Sequence, residues 1–161
     1  MPLRTSPLDL HDISHTGALI DLLDHYAHDP MGGGTGLSDH ARINLVDALR
    51  QRTDYFAHIA WLDEESVGLI NCFEGFSTFA ARPLLNVHDI VVRREHRGKG
   101  IGRALLAAAQ ACGIERGCCK LTLEVLDRNA VAMAAYKAFG FEPYALDPAA
   151  GKAVFLQKRL P

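Results

Sequence analysis

Arg97-Gly98-Lys99-Gly100-Ile101-Gly102 constrains this chain more than any other stretch. It follows an apolar run ending at Val91-Val92 and opens a helical pattern from Arg103 onward. The first N–H groups of a helix have no internal partner and carry a partial positive charge. Three glycines at alternate positions bare the backbone at that point, so an anion can approach it closely. Strand, glycines and helix together read as a phosphate cradle, with Arg97 and Lys99 adding positive charge beside it. The plainer alternative is a glycine-rich turn before an ordinary helix.

Spacing excludes two common phosphate motifs. A P-loop needs four residues between its first glycine and Gly-Lys-Ser/Thr, and no such segment occurs. The dinucleotide fingerprint is Gly-x-Gly-x-x-Gly, whereas Gly98-x-Gly100-x-Gly102 is Gly-x-Gly-x-Gly. No second strand–helix–strand unit follows it.

The 161 residues predict one domain over 1–161 with a sizeable core. A net charge of −2 gives no basic field for nucleic acid. No run of 18 apolar residues occurs, so no membrane span is expected. Met1-Pro2-Leu3-Arg4-Thr5 lacks the apolar stretch of a leader, which predicts a cytoplasmic protein. Cys72, Cys112, Cys118 and Cys119 form no Cys-x-x-Cys, and the eight histidines form no His-Glu-x-x-His. Reduced thiols and no metal are expected.

Hydrophobic periodicity orders the rest. Ala18, Leu19, Leu22, Leu23 and Tyr26 predict a helix over 15–27, ended by Asp29-Pro30. Residues 31–36 form a glycine-rich loop, either a substrate lid or a plain connection. Ser38 is a candidate N-cap for a second helix reaching Arg50. Tyr55–Leu62 and Val67–Phe73 read as a hairpin turning at Asp63-Glu64-Glu65-Ser66, and 74–83 as a loop. Leu84–Val92 reads as a central strand, 100–116 as a helix ending near Gly117, and Leu121–Leu126 as a strand. A last helix spans 129–139, stopped by Gly140. Residues 141–146 and 153–159 are expected to form a closing antiparallel pair. The order predicts an α/β fold with a mixed sheet and helices on both faces.

Four landmarks in sequence carry a family resemblance. Arg97-x-x-Gly100-x-Gly102 matches the Arg/Gln-x-x-Gly-x-Gly/Ala motif of the GNAT superfamily of acetyl-CoA-dependent N-acetyltransferases. Leu121-Thr122-Leu123-Glu124-Val125, Asn129-x-x-Ala132-x-x-x-Tyr136 and Lys137-Ala138-Phe139-Gly140-Phe141 resemble that family's next landmarks in order. The resemblance is strong over roughly 84–145. It implies a mostly antiparallel central sheet with one parallel, splayed strand pair.

The resemblance also implies acetyl-CoA as cosubstrate. Backbone N–H groups of Arg97, Gly98, Lys99, Gly100, Ile101 and Gly102 would bind its pyrophosphate. Main-chain groups of Ile90, Val91 and Val92 would pair with the pantetheine arm like an added strand, and one of them would stabilise the developing oxyanion. Asn129 would contact the arm, and by itself it is also a helix cap. Tyr136 stands where the family places its general acid, and is otherwise a core aromatic. A phenol near pKa 10 can donate to a thiolate whose thiol is near 8.5. His88 is a candidate base, alongside Asp89, Glu124 and Glu74, and water-relayed deprotonation needs none of them.

A narrower resemblance bears on the acceptor. Asn71-Cys72-Phe73-Glu74-Gly75-Phe76-Ser77-Thr78-Phe79, Arg82-Pro83 and Val87-His88-Asp89-Ile90 look like the diamine and polyamine acetyltransferase branch. That branch has an acidic Glu-Asp pair here; this chain keeps Asp89 but has His88 in place of the Glu. The implied acceptor site is Glu74, Phe76, His88 and Asp89, with Phe73, Phe76 and Phe79 as an aromatic wall for a cation or as core or dimer contacts. A small-molecule amine is the expected partner, and a homodimer is compatible with the resemblance. Acetylation of a protein amine and a non-catalytic acyl-CoA-binding module are the competing functions.

Overall fold

Alternation along the strands sorts the apolar side chains onto two faces. The computed structural model describes residues 2–161; Met1 lies outside them. One five-stranded sheet holds β1 (Leu3–Pro7), β2 (Tyr55–Leu62), β3 (Glu65–Ser77), β4 (Arg82–Val92) and β5 (Leu121–Leu123), in that spatial order. Every neighbouring pair is antiparallel except β4 and β5, which run parallel. The helices are α1 (Ile13–His28), α2 (Asp39–Arg50), α3 (Ile101–Glu115) and α4 (Ala130–Phe139).

The expected mixed sheet with helices on both faces is what forms. On one face, Leu19, Leu22 and Leu23 of α1 and Leu49 of α2 pack on Ile59, Trp61, Leu69 and Val91. On the other, Ile101, Leu105, Leu106 and Ala109 of α3 pack on Ala60, Val67, Ile70, Leu85 and Val87. Close seating of α3 depends on Gly68. A Cβ there would stand 3.0 Å from both Leu105 Cδ1 and the Val91 carbonyl oxygen. The start of α3 is thus pressed against the strands that flank the candidate site.

Local chemistry sets the helix ends. Asp12 caps α1 by accepting from the Ser14 and His15 N–H groups, Ser38 caps α2 through Ala41, and Asn129 caps α4 through Ala132. Gly140 closes α4 at φ 112°.

Three expectations need correction. β1 is an additional strand along the outer edge of β2. Its sequence, Leu-Arg-Thr-Ser-Pro, shows no alternation because it is an exposed edge. The predicted loop at 74–83 is largely strand, since β3 and β4 continue as a ladder through Ser77 and Arg82. The closing pair at 141–146 and 153–159 does not form. β5 is three residues long and offers little edge to extend. Phe141 instead packs on Tyr136 and Phe139, with ring centroids 5.9 and 6.1 Å away. Residues 148–150 form a 3-10 turn.

The 31–36 segment is fastened at both ends. The Asp29 carboxylate accepts from the Met31 N–H at 3.0 Å and from Arg97 Nη2 at 3.0 Å. Asp24 accepts from the Leu37 N–H at 2.9 Å and pairs with Arg42. The Met31 N–H, and then Arg97, hold the Asp29 carboxyl below its ordinary range. A carboxyl with a depressed folded pKa contributes stability above its unfolded value, near 3.9, and loses it as pH falls through the folded one. Replacing Asp29 by alanine is expected to cost about 1–2 kcal/mol at pH 7. In urea titrations, the gap between parent and variant should narrow markedly at pH 3.

Candidate functional site

The parallel ladder of β4 with β5 covers only Leu85–Val87 against Leu121–Leu123. β4 continues to Val92 while β5 stops. One edge of β4 from His88 to Val92 therefore has no strand beside it, although the opposite edge stays paired with β3 through Ile90, Val91 and Val92. Their side chains are buried or half-buried in the two cores, which leaves main-chain groups as the recognition surface.

A bulge interrupts β4 at the same place. Asn71 pairs with Asp89 and the next residue, Cys72, pairs with Val87, so His88 has no partner. A bulge re-aims side chains. Here it turns two consecutive residues, His88 and Asp89, toward the α1 face. The exposed His88 ring meets Phe73 edge-on, 5.4 Å between centroids. Asp89 Oδ2 accepts from Asn71 Nδ2 at 3.1 Å, and Asn71 Oδ1 accepts from the Tyr55 hydroxyl at 2.8 Å.

Where β4 ends, α3 begins without a side-chain cap. Its N-cap is Gly100 at φ 82°, and Gly98 stands at φ 77°. Both lie in the left-handed region that disfavours other residues, and no atom lies within 4 Å of a Cβ built on either. The first turn of α3 thus has no side-chain cap, and the space beside Gly98 and Gly100 is open. Such a terminus fits the pyrophosphate of CoA. The Arg97 guanidinium is already engaged, donating to the Val92 carbonyl at 3.2 Å and to Asp29. Lys99 Nζ lies 3.3 Å from His96 Nδ1.

Tyr136 is half-buried on α4. Burial, and secondarily Tyr26, push its phenol above the ordinary value. Burial also raises Tyr26, helped by the charges of Asp89 and Asp29. Tyr26 lies near the end of α1. Its hydroxyl donates to the Met31 carbonyl at 3.4 Å.

The structure places His88 and Asp89 on β4 next to the Ile90–Val92 edge, with α3 starting beyond it, and packs Tyr136 against the α3-side core that Ile90 and Val92 border. It does not bring Glu74 or Phe76 to them. Strand alternation puts both on the face opposite Phe73, where Glu74 Oε2 accepts from Arg116 Nε at 2.6 Å. Arg116 in turn lies over Phe56, 4.0 Å from the ring centroid. Phe76 and Phe79 are exposed, whereas Phe73 packs in the α1-side core. An aromatic wall of all three is not formed. The sequence places Tyr26, Tyr55 and Asn71 on elements or in a motif but gives none of them a role at the site. An amide inside the apolar run Val67–Phe73 was the available signal, because a buried amide requires partners.

No helix among the described residues is long and apolar enough to cross a membrane. The chain is 44% identical over 77 residues to the streptothricin acetyltransferase of Streptomyces lavendulae, covering 48% of this chain and 41% of that protein. It is 40% identical over 65 residues to the thialysine N-epsilon-acetyltransferase of Bos taurus, covering 40% and 38%. The chain thus spans about two-fifths of the length of these relatives. An aminoglycoside N-acetyltransferase solved with CoA superposes with a TM-score of 0.76 at 19% identity, over 99% of this chain and 96% of that one. The profile described as the acetyltransferase (GNAT) family matches residues 19–141. The chain belongs to the acetyltransferase (GNAT) family.

Proposed function

We propose that the protein transfers an acetyl group from acetyl-CoA to a primary amine of a small, cationic acceptor. The observation that carries this is the uncapped, glycine-bared start of α3 beside the free edge of β4. Two relatives named for amine-bearing acceptors, streptothricin and thialysine, support it.

Attack of a neutral amine on a thioester needs three services: a proton taken from the ammonium, charge stabilised on the carbonyl oxygen, and a proton for the departing thiolate. N–H groups of residues 97–102 hold the pyrophosphate. Main-chain groups of Ile90–Val92 hold the pantetheine arm, and one N–H there stabilises the oxyanion. Asn129 lies along the same path while capping α4. Tyr136 donates to the thiolate sulfur as the C–N bond forms and the C–S bond breaks. On the acceptor side, His88 or a water takes the ammonium proton, and Asp89 supplies the negative charge that attracts the cation. Glu74 has no part in this, since its carboxylate is committed to Arg116.

Release of free thiol from acetyl-CoA tests the proposal with spermidine, thialysine, streptothricin, neamine and a peptide with N-terminal alanine. Turnover of the small cationic amines is expected, with the peptide at least about tenfold poorer in kcat/KM. Faster turnover of the peptide would make the protein a peptide acetyltransferase. No turnover of any acceptor, with acetyl-CoA still raising Tm, would make it a binding module.

A further inference from the structure

Asn71 is the one buried polar side chain among the described residues, 3% exposed and set between two apolar clusters. Its four hydrogen-bonding positions do not face its neighbours arbitrarily. A carboxylate only accepts, so the amide nitrogen must face Asp89. That leaves Oδ1 toward Tyr55, whose hydroxyl must then donate. The donors in the chain therefore point one way, from β2 through β3 to β4, and end on the Asp89 carboxylate.

Strand register builds this chain. Asn71 and Asp89 are direct cross-strand partners. Tyr55 is diagonal to Asn71, because Ala57 is opposite Asn71 and Phe73 is opposite Tyr55. The Tyr55 ring is held against Phe73 at 5.3 Å. Burial and the Asp89 charge raise the Tyr55 phenol strongly, so it remains a donor. Asp89 Oδ2 is thereby occupied, and among the described residues Asp89 Oδ1 accepts no hydrogen bond. The titratable groups around Asp89 are Tyr26 from α1, Tyr55 from β2, Cys72 from β3 and its neighbour His88. Among the described residues no Lys or Arg pairs with Asp89, which leaves it open to an acceptor's ammonium.

Resting on the amine acetyltransferase proposed above, we infer that Tyr55 and Asn71 are positioning residues that fix the Asp89 carboxylate with its second oxygen free to hold the acceptor's ammonium. Their role is orientation; neither side chain touches the reacting atoms.

Two readouts test this in Tyr55→Phe, Asn71→Leu, Asp89→Asn and the Asn71→Leu/Asp89→Asn double variant. The first is the Asn71 side-chain amide resonances, assigned by their loss in Asn71→Leu. They should move in both Tyr55→Phe and Asp89→Asn. Spermidine should shift them in the parent and leave them still in Asp89→Asn. The second is kinetic, on any acceptor the panel turns over. Asn71→Leu should raise the acceptor KM about tenfold while acetyl-CoA KM holds, and the double variant should be no worse than Asp89→Asn. Unmoved resonances in Asp89→Asn, equal spermidine shifts with and without Asp89, or multiplying KM effects would each overturn the inference. If spermidine shifts the resonances as expected but no acceptor is acetylated, the proposed activity fails and the positioning role stands.

Discussion

Replacing Gly100 by valine is expected to weaken CoA binding by at least about 100-fold while leaving the fold in place. Gly100 is the N-cap of α3 at φ 82°, where a β-branched residue is strained. Among the described residues, no atom beyond its chain neighbours lies within 4 Å of the added Cβ, so the Cβ itself meets no clash. The cost is conformational, roughly 1–2 kcal/mol, and is relieved only by reshaping the turn. Reshaping turns away the N–H groups that the pyrophosphate needs, and each charge-assisted hydrogen bond lost is worth about 1.5–3 kcal/mol. Calorimetric titration with CoA measures the affinity, and the drop in Tm should be confined to a few degrees. Gly102→Ala is the control. Gly102 is inside the helix, its added Cβ would meet only Val92 Cγ2 at 3.9 Å, and CoA affinity should survive. A Gly100→Val protein that binds CoA within threefold of the parent would remove the cradle from the site.

Tyr136→Phe is expected to lower kcat by about 10²–10⁴ with the CoA Kd unchanged. The substitution deletes one hydroxyl and keeps the ring that meets Phe141. Because burial raises the Tyr136 phenol, the acid form persists through neutral and mildly alkaline pH. For an acid that must be protonated, a raised pKa moves the alkaline limb of kcat above pH 10 rather than below it. Donation to a thiolate of thiol pKa near 8.5 is then uphill by about 2 kcal/mol or more. That is small beside a catalytic barrier, and the proton is regained from solvent after release. A Tyr136→Phe enzyme with full activity from pH 6 to 9 would show that water or another group protonates the sulfur.

What could be read in the sequence is what rests on local rules. Ser38, Asn129 and Gly140 mark helix ends because capping involves residues three or four apart. The glycines before α3 were legible for the same reason, since left-handed backbone is a property of single residues. Non-local pairing was not legible. The continuation of β3 and β4 past Glu74 depends on two exposed segments finding each other, with Gly75 and Pro83 disguising both. The converse holds at 141–159, where apolar residues such as Val154 and Phe155 stay exposed and no strand pair forms. At the site, the bulge decided the outcome. Without the bulge, alternation would put His88 and Asp89 on opposite faces. The Tyr55–Asn71–Asp89 chain joins residues 16 and 18 apart, which no periodicity links.

The commitment of Arg97 to Asp29 and to the Val92 carbonyl carries over to how the donor site responds to ionic strength. A guanidinium already neutralised by a carboxylate contributes little long-range field. The pyrophosphate would then be held mainly by main-chain dipoles at contact distance, where mobile ions screen poorly. Affinity for the donor becomes a matter of backbone shape rather than of net charge. Salt would instead act on the acceptor side, where an exposed cation approaches Asp89 through solvent.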